Sequence, residues 1–179
     1  MIEARIAPSV GSLPAAEWDA LAGGNPFMSH AFLSAMEDSG SVGPGTGWSP
    51  APIVISDAAG KLAAALPAYL KSHSQGEYVF DYGWADAFEL ARGRYYPKMQ
   101  VSVPFSPVTG PRLLAETEEQ RRDLASGLIA LCTQEEASSV HITFLPERDW
   151  AALGGKMWLQ RTDIQFHWMN GGYANFDDF

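Results

Sequence analysis

The sequence predicts an α+β protein, a mixed and largely antiparallel sheet flanked by helices, and three observations carry that prediction. Two apolar runs, APIVIS and KLAAALPAYLK, bracket the polar turn DAAG and form a hairpin. The segment Glu118 to Glu136 places Leu124, Leu128, Leu131 and Cys132 at helical spacing behind a Thr117/Gln120 capping box. The order of the remaining patterns, an antiparallel front half followed by alternating helices and strands, suits helices laid on a sheet.

Taken in chain order, Ala4 to Ala7 reads as a short strand. Pro14 to Leu21 reads as a short helix with Pro14 in its first turn, where a missing N–H is tolerated. Ser29 caps a second helix that carries Phe32, Leu33 and Met36 on one face. Ser39 to Pro50, rich in glycine, serine and proline, reads as a mobile loop. The hairpin follows, and Pro67, lacking a ladder donor, predicts a bulge or an edge within its second arm. Trp84 to Arg92 is helical, and Met99 to Phe105 is a strand running into Pro107 to Pro111. After the long helix come a strand over Val140 to Leu145, a short helix over Glu147 to Leu153, and strands over Met157 to Arg161 and Ile164 to Met169. Asn175 or Asp177 then stands as the N-cap of a further helix.

Composition sets the broad class. Of the 179 residues, 46% are apolar, 18% charged and 12% aromatic, which is globular and neither disordered nor membrane-spanning. Runs such as LAAALPAYL are too short for a transmembrane segment, and MIEARIAPSV lacks the long apolar core of a signal peptide. A lone cysteine, Cys132, forms no internal disulfide and fits a reducing compartment, so a cytoplasmic protein is expected. Twelve Lys/Arg against 21 Asp/Glu give a net charge of −9, and no dense basic cluster offsets it. An acidic surface of this kind argues against DNA or RNA as a tight partner.

Known chemical motifs are absent. His30, His73, His141 and His167 are isolated, without the spacing of a metal site, so no metal is expected. His141 and His167 lie on predicted strands and read first as hydrogen-bonded, half-buried side chains. Cys132, on the apolar helix face, reads as a small buried hydrophobe. No GxSxG elbow is present, and SVGPGTGW matches neither phosphate-binding loop. The most distinctive region is Glu77 to Arg112. There, aromatics interspersed with charges and prolines suit either a cleft for a peptide or sugar, or a braced core strand with wet polar tips. Lys98 or Arg112 could hold a substrate carboxylate or phosphate there.

Taken together, EYVFDYGWADAF, RYYPKMQVSVPFSPVTGPRLL, SSVHITFLPE and LQRTDIQFHWMNGGYANFDDF resemble the FemAB-like family, within the GNAT-type acyltransferase superfamily. The resemblance runs from NPFMSHAFLSAMED onward. It implies a GNAT-like fold for residues 1–174, with residues 175–179 opening a helix toward a second GNAT-like half. It also implies acyl transfer to an amine, with a peptidoglycan precursor as one candidate acceptor. The donor would be an acyl-CoA or an aminoacyl-tRNA used by the full-length protein, with no cofactor held by this portion alone. The acyl-CoA cradle of ordinary GNAT enzymes has no counterpart in these residues, so catalysis by this portion alone is not expected. A non-catalytic domain that binds a precursor or another small ligand is the alternative. Within such a cleft Asp81, Tyr96 and His141 are the catalytic candidates. Trp84, Tyr95, Lys98, Phe105 and Arg112 are the substrate-binding candidates.

Overall fold

The computed structural model describes residues 4–155 and 157–179. Its centre is one long hairpin whose two arms each pass from one sheet to another. Strands β2 (Trp48–Pro50) and β3 (Ile53–Ser56) form the first arm, and β4 (Leu62–Leu66) and β5 (Ala68–Lys71) the second. Pro50 pairs with Tyr69 and Ile53 with Leu66, so Pro52 faces Pro67 across the hairpin. Neither proline has an N–H to donate, so facing them across one rung leaves no donor unpaired, and Ala51 resumes the ladder by donating to the Ala68 carbonyl at 2.8 Å. The pleat continues through Pro67: Ala64, Leu66, Ala68 and Leu70 all join one core. Of the bulge or edge expected at Pro67, the structure shows a change of sheet between β4 and β5 there, and the register shift falls at Ile55/Ser56.

The first sheet, ordered β1-β3-β4-β7, adds β1 (Ala4–Ile6) and the two-residue β7 (Leu114–Ala115). The second, ordered β2-β5-β6-β8, adds β6 (Lys98–Val101) and β8 (Val140–Ile142). Every pairing is antiparallel except β6 with β8. These two are joined through α4 (Glu118–Gln134), a crossover that a parallel pair requires. The fold is thus mixed α/β of the α+β type.

Helix α4 begins at a complete capping box between Thr117 and Gln120. Its Leu124, Leu128, Leu131 and Cys132 lie against Ile53, Leu66, Met99 and Val101, so α4 spans one face of both sheets. Helices α1 (Ala15–Ala22) and α2 (His30–Asp38) cover the opposite face of the first sheet, where Trp18, Met28 and Leu33 pack on Val54, Ala65 and Leu114. Ser29 caps α2 by accepting from the Phe32 amide at 3.2 Å. Pro14 occupies the N-cap of α1, one place before the first turn.

Further expectations change, and the strand expected over Val140 to Leu145 ends at Ile142. Ser39 to Pro50 is not a loose loop. Glycines 43, 45 and 47 adopt positive φ and turn the chain so that Val42 and Trp48 enter the interior, with Trp48 to Pro50 paired as β2. The strand expected over Met99 to Phe105 ends at Val101, before Pro104. The strands expected over Met157 to Arg161 and Ile164 to Met169 do not form, apart from an isolated Gly155–Trp158 bridge. Their alternation is strand-like, but no neighbouring edge in this structure offers them a hydrogen-bond ladder, and Leu159, Ile164 and Phe166 stand exposed. At the C-terminal end Asn175 accepts from the Asp177 and Asp178 amides and caps a single 3₁₀ turn.

Candidate functional site

The second sheet has two unlike faces. Ala68, Leu70, Met99 and Val101 face α4, whereas alternation sends Tyr69 and Lys71 of β5, and Lys98 and Gln100 of β6, to the other side. Lys71 is paired with Lys98 and Tyr69 with Gln100, while Trp48 of β2 and His141 of β8 flank these rows. A polar strand face normally meets water. Here Tyr69, Lys71, Lys98 and Gln100 are at most 1% exposed. The segment after β5 folds over the two lysines, Trp48 and Val42 pack on Tyr69, and Gln100 donates to Thr143.

That segment, residues 72–81, brings in Ser74, Glu77 and Asp81. The Lys98 ammonium donates to Asp81 Oδ2 at 2.5 Å, Glu77 Oε2 at 2.7 Å and Ser74 Oγ at 2.8 Å. All three of its donors are therefore engaged. Tyr95 donates to the same Asp81 oxygen at 2.8 Å, and the Tyr96 hydroxyl lies 2.8 Å from Ser74 Oγ. Lys71 sits 3.5 Å from the Trp48 ring centroid, donates to the Gln75 carbonyl at 3.2 Å and lies 3.8 Å from Glu77 Oε1. Two lysines and two carboxylates thus form a closed quartet.

Asp81 is informative by what it does not do. It occupies the N-cap position of α3 (Tyr82–Leu90), yet its side chain makes no capping bond. Such a bond is ordinarily worth about 1 kcal/mol. The carboxylate turns inward to Lys98 and Tyr95 instead. Burial alone raises its carboxyl pKa, but the donated hydrogen bonds outweigh that effect and hold it below the usual carboxylate range. Glu77 goes the other way, since burial raises it despite Lys98 and Lys71. Burial also pushes the Lys71 ammonium down to about 7, against the pull of Glu77. Both members of the Lys71–Glu77 pair are therefore driven toward their neutral forms, and a proton can pass on or off this pair near neutral pH. His141, with Nε2 2.9 Å from Ser139 Oγ, is pushed down to about 4 by burial and by Lys98, so it is neutral at pH 7. Burial and the bond to Asp81 raise the Tyr95 phenol, which stays a donor.

The structure brings Asp81, Tyr95, Tyr96, Lys98 and His141 into one neighbourhood. The Tyr95 and Tyr96 rings lie 5.5 and 5.9 Å from Lys98 Nζ, and the Tyr95 and His141 ring centroids are 6.4 Å apart. Phe105 stands at its margin, 42% exposed, with its ring 5.2 Å from that of Trp48. Trp84 projects from α3 and is 65% exposed. Arg112 is elsewhere. It is wholly buried, and its guanidinium donates to the carbonyls of Thr143, Pro111 and Val108 and contacts Met28 Sδ. Burial lowers it to about 10, which leaves it charged at neutral pH. It clamps the proline-rich 107–111 segment onto the strand that follows α4. His167, on the exposed tail, contacts only Gln165 among hydrogen-bonding partners in the described residues.

Lys71, Glu77, Ser74, Trp48, Tyr69 and Gln100 also belong to this face and are not among the residues singled out from sequence. The alternation of Lys98, Gln100 and Ser102 with Met99, Val101 and Val103 marks the two-sidedness of β6, although it does not say that the polar side is covered. An open cavity of about 350 Å³ between the end of α1 and Arg121 is lined by none of the candidates. Among the described residues no group of His, Cys, Asp and Glu is arranged to hold a metal ion.

The family profile described as peptidoglycan biosynthesis/recognition, FemAB-like, matches residues 9–179. The chain belongs to the FemAB-like family. No curated protein and no solved structure gives a significant match. The matched span of this FemAB-like chain contains the second sheet, every strand of the first except β1, the covering segment and the whole quartet. Among its described residues no helix is long and apolar enough to cross a membrane.

Proposed function

We propose that this FemAB-like chain is the substrate-side half of an N-acyltransferase that passes an acyl or aminoacyl group to an amine of a peptidoglycan precursor. Family membership supports the peptidoglycan role. The observation that carries the chemistry is the buried Lys71–Glu77–Lys98–Asp81 quartet. An amine attacks only when its nitrogen lone pair is free, so the site needs a proton acceptor working near neutral pH. In this reading Lys71, backed by Glu77, takes the proton of the incoming ammonium. Asp81, Tyr95 and Tyr96 hold Lys98 in place, and His141 lines the site as a neutral imidazole.

The acceptor nitrogen then forms the C–N bond to the donor carbonyl carbon. The bond to the CoA sulfur or to the tRNA ribose oxygen breaks, and that leaving atom takes the second N–H proton. The donor side belongs to a second GNAT-like half in this proposal, and the protein acts in the cytoplasm.

A donor screen tests it. Acyl-CoAs and aminoacyl-tRNAs are offered with amine-bearing precursor fragments to the longest protein containing this chain, and amide formation is read by mass spectrometry. Amide formation that falls on Glu77→Gln substitution, with folding intact, is the expected result. No amide from either donor class overturns the proposal. The exposed rings of Tyr78, Phe80, Tyr82 and Trp84 favour a second reading, a non-catalytic domain that stacks on a sugar or peptide. Saturable precursor binding without transfer would select it.

A further inference from the structure

A second polar cluster lies away from the quartet, where several elements leave a gap. Helix α1 ends at Gly23 and Gly24, whose φ of 62° and 75° lie in the left-handed region that favours glycine, and the chain turns there into Asn25. Leu113 and Ala115 around β7, Arg121 of α4 and Arg148 of α5 (Glu147–Leu153) stand opposite that turn. Between them opens the cavity of about 350 Å³, room enough for a small molecule.

Its polar wall is built from donors. Arg121 is 9% exposed, and its terminal nitrogens donate to Glu118 Oε1 and to the Ala115 carbonyl, each at 2.8 Å. Its Nε–H is buried and has no partner, because Asp149 Oδ1 at 3.8 Å is beyond hydrogen-bond reach. Arg148 gives its Nε–H to that same oxygen at 3.2 Å, which leaves its Nη1/Nη2 fork with no bond among the described residues. Asn25 accepts from the Phe27 amide at 3.0 Å through Oδ1, and its Nδ2 likewise makes no bond among the described residues. One carboxylate oxygen thus draws both guanidiniums toward a single point, and every unpaired side-chain group on the cavity wall is a donor. Asp149 Oδ2 and Trp150 Nε1 are also buried and unpaired, but neither residue lines the cavity.

Charge points the same way. Asp149, 1% exposed, balances one of the two guanidiniums. The other is balanced only by Glu118, whose side chain is 54% exposed and therefore screened by water. Arg121 also stands in the first turn of α4, where the helix dipole favours an anion over a cation. What is missing is an acceptor that carries negative charge. The rest of the wall narrows its chemistry, since Leu21, Pro111 and Leu113 offer carbon and no side-chain donor. Inorganic phosphate would leave that part unfilled, whereas a carboxylate on a short aliphatic stem matches both parts.

We infer that this cavity is a binding site for a small aliphatic carboxylic acid. Its carboxylate meets Arg121 Nε, the Arg148 fork and Asn25 Nδ2, and its stem lies along Leu21, Pro111 and Leu113. Two parallel guanidinium donors suit the two oxygens of a carboxylate. None of these residues belongs to the quartet, so the site stands whether or not the acyl-transfer reading does.

The test is NMR titration with sodium butyrate and, in parallel at fixed ionic strength, with sodium phosphate and with 1-butanol, following the sequentially assigned arginine Nε–Hε resonances. Saturable butyrate binding is expected, with the Arg121 Nε–Hε resonance moving downfield as its proton gains an acceptor. Butanol, lacking the charge, and phosphate, lacking the stem, should each bind about tenfold more weakly or worse. Arg148→Gln changes a side chain that is 64% exposed, so the fold should tolerate it, and it should weaken butyrate about tenfold. Asn25→Asp keeps the acceptor for the Phe27 amide but turns the Nδ2 donor into an oxygen that repels the carboxylate, and should weaken binding in the same direction. No saturation, equal affinity for butanol, or butyrate binding unchanged in both variants would overturn the site. Phosphate bound as tightly as butyrate would overturn its assignment to a carboxylic acid.

Discussion

Replacing Lys98 with methionine removes the ammonium while keeping an unbranched stem in the same space. The ammonium is wholly buried and gives its three donors to Asp81, Glu77 and Ser74 at 2.5, 2.7 and 2.8 Å. After the change Asp81 retains Tyr95, and Glu77 retains only Lys71 at 3.8 Å. Removing one member of a buried ion pair typically costs about 3–5 kcal/mol, because its partner remains charged and dry. In a chain of this size each kcal/mol moves Tm by about 2–4 °C, so Lys98→Met should lower Tm by about 10 °C. Urea unfolding followed by circular dichroism should show a reduced midpoint and an unchanged m-value. The loss should shrink as pH falls, because without Lys98 the Asp81 and Glu77 carboxyls protonate more readily. A double variant, Lys98→Met with Asp81→Asn, should be less destabilised than the sum of its parts, with a coupling of about 0.5–3 kcal/mol. A loss below about 1 kcal/mol at pH 7 would refute the reasoning, since it would place Lys98 among exposed ion pairs.

Three further outcomes follow from the same geometry. The folded-state pKa of Lys71 is lowered to about 7, so between that value and the ordinary lysine range the unfolded chain binds more protons than the folded one, and this residue's contribution to stability increases as pH rises through that window. Subtracting the unfolding free energies of Lys71→Met from those of the native protein across that window should isolate this increase. A flat difference would contradict it. Arg112→Leu leaves the carbonyls of Thr143, Val108 and Pro111 without their donor, and should cost several kcal/mol in denaturant unfolding while leaving the titration of Lys71 in place. Thr117→Ala removes one side of the capping box on α4 and should cost about 1 kcal/mol, measured by thermal unfolding.

Local signals in the sequence translate directly into structure. Ser29 and Thr117 cap the helices they precede, and the Asp57–Gly60 turn joins the arms of the central hairpin. These features need only neighbours close in the chain. The two-residue strand β7 has no pattern long enough to read, and the tail from Met157 shows strand alternation without a partner edge to complete it. The site lies between these extremes. Asp81, Tyr95, Tyr96, Lys98 and His141 stand out as chemistry-bearing residues and do gather in one place. Lys71 and Gln100 are silent in sequence because a polar residue alternating with apolar ones on a strand reads as solvent-facing. The fold of residues 72–81 over Lys71 and Lys98 makes that end of the face an interior, with bonds to Lys98 that join residues 17 to 24 positions apart, and Gln100 is enclosed beside Thr143. Trp48 is hidden for a similar reason, since it ends a glycine-rich run that looks like a loop until Gly43, Gly45 and Gly47 turn it inward.

Burial also separates candidates that look alike in sequence. Lys98 and Arg112 are both cations in one aromatic and proline-rich region, yet one meets two carboxylates and the other only carbonyls and a thioether sulfur. Cys132 packs in the α4 core with its thiol pushed up by burial, which keeps it protonated and unreactive.

The most direct test of the account is the titration of the Lys71 side chain by carbon-detected NMR of the Cε resonance, assigned with Lys71→Met. The account predicts a midpoint near 7. A midpoint in the ordinary lysine range would contradict it.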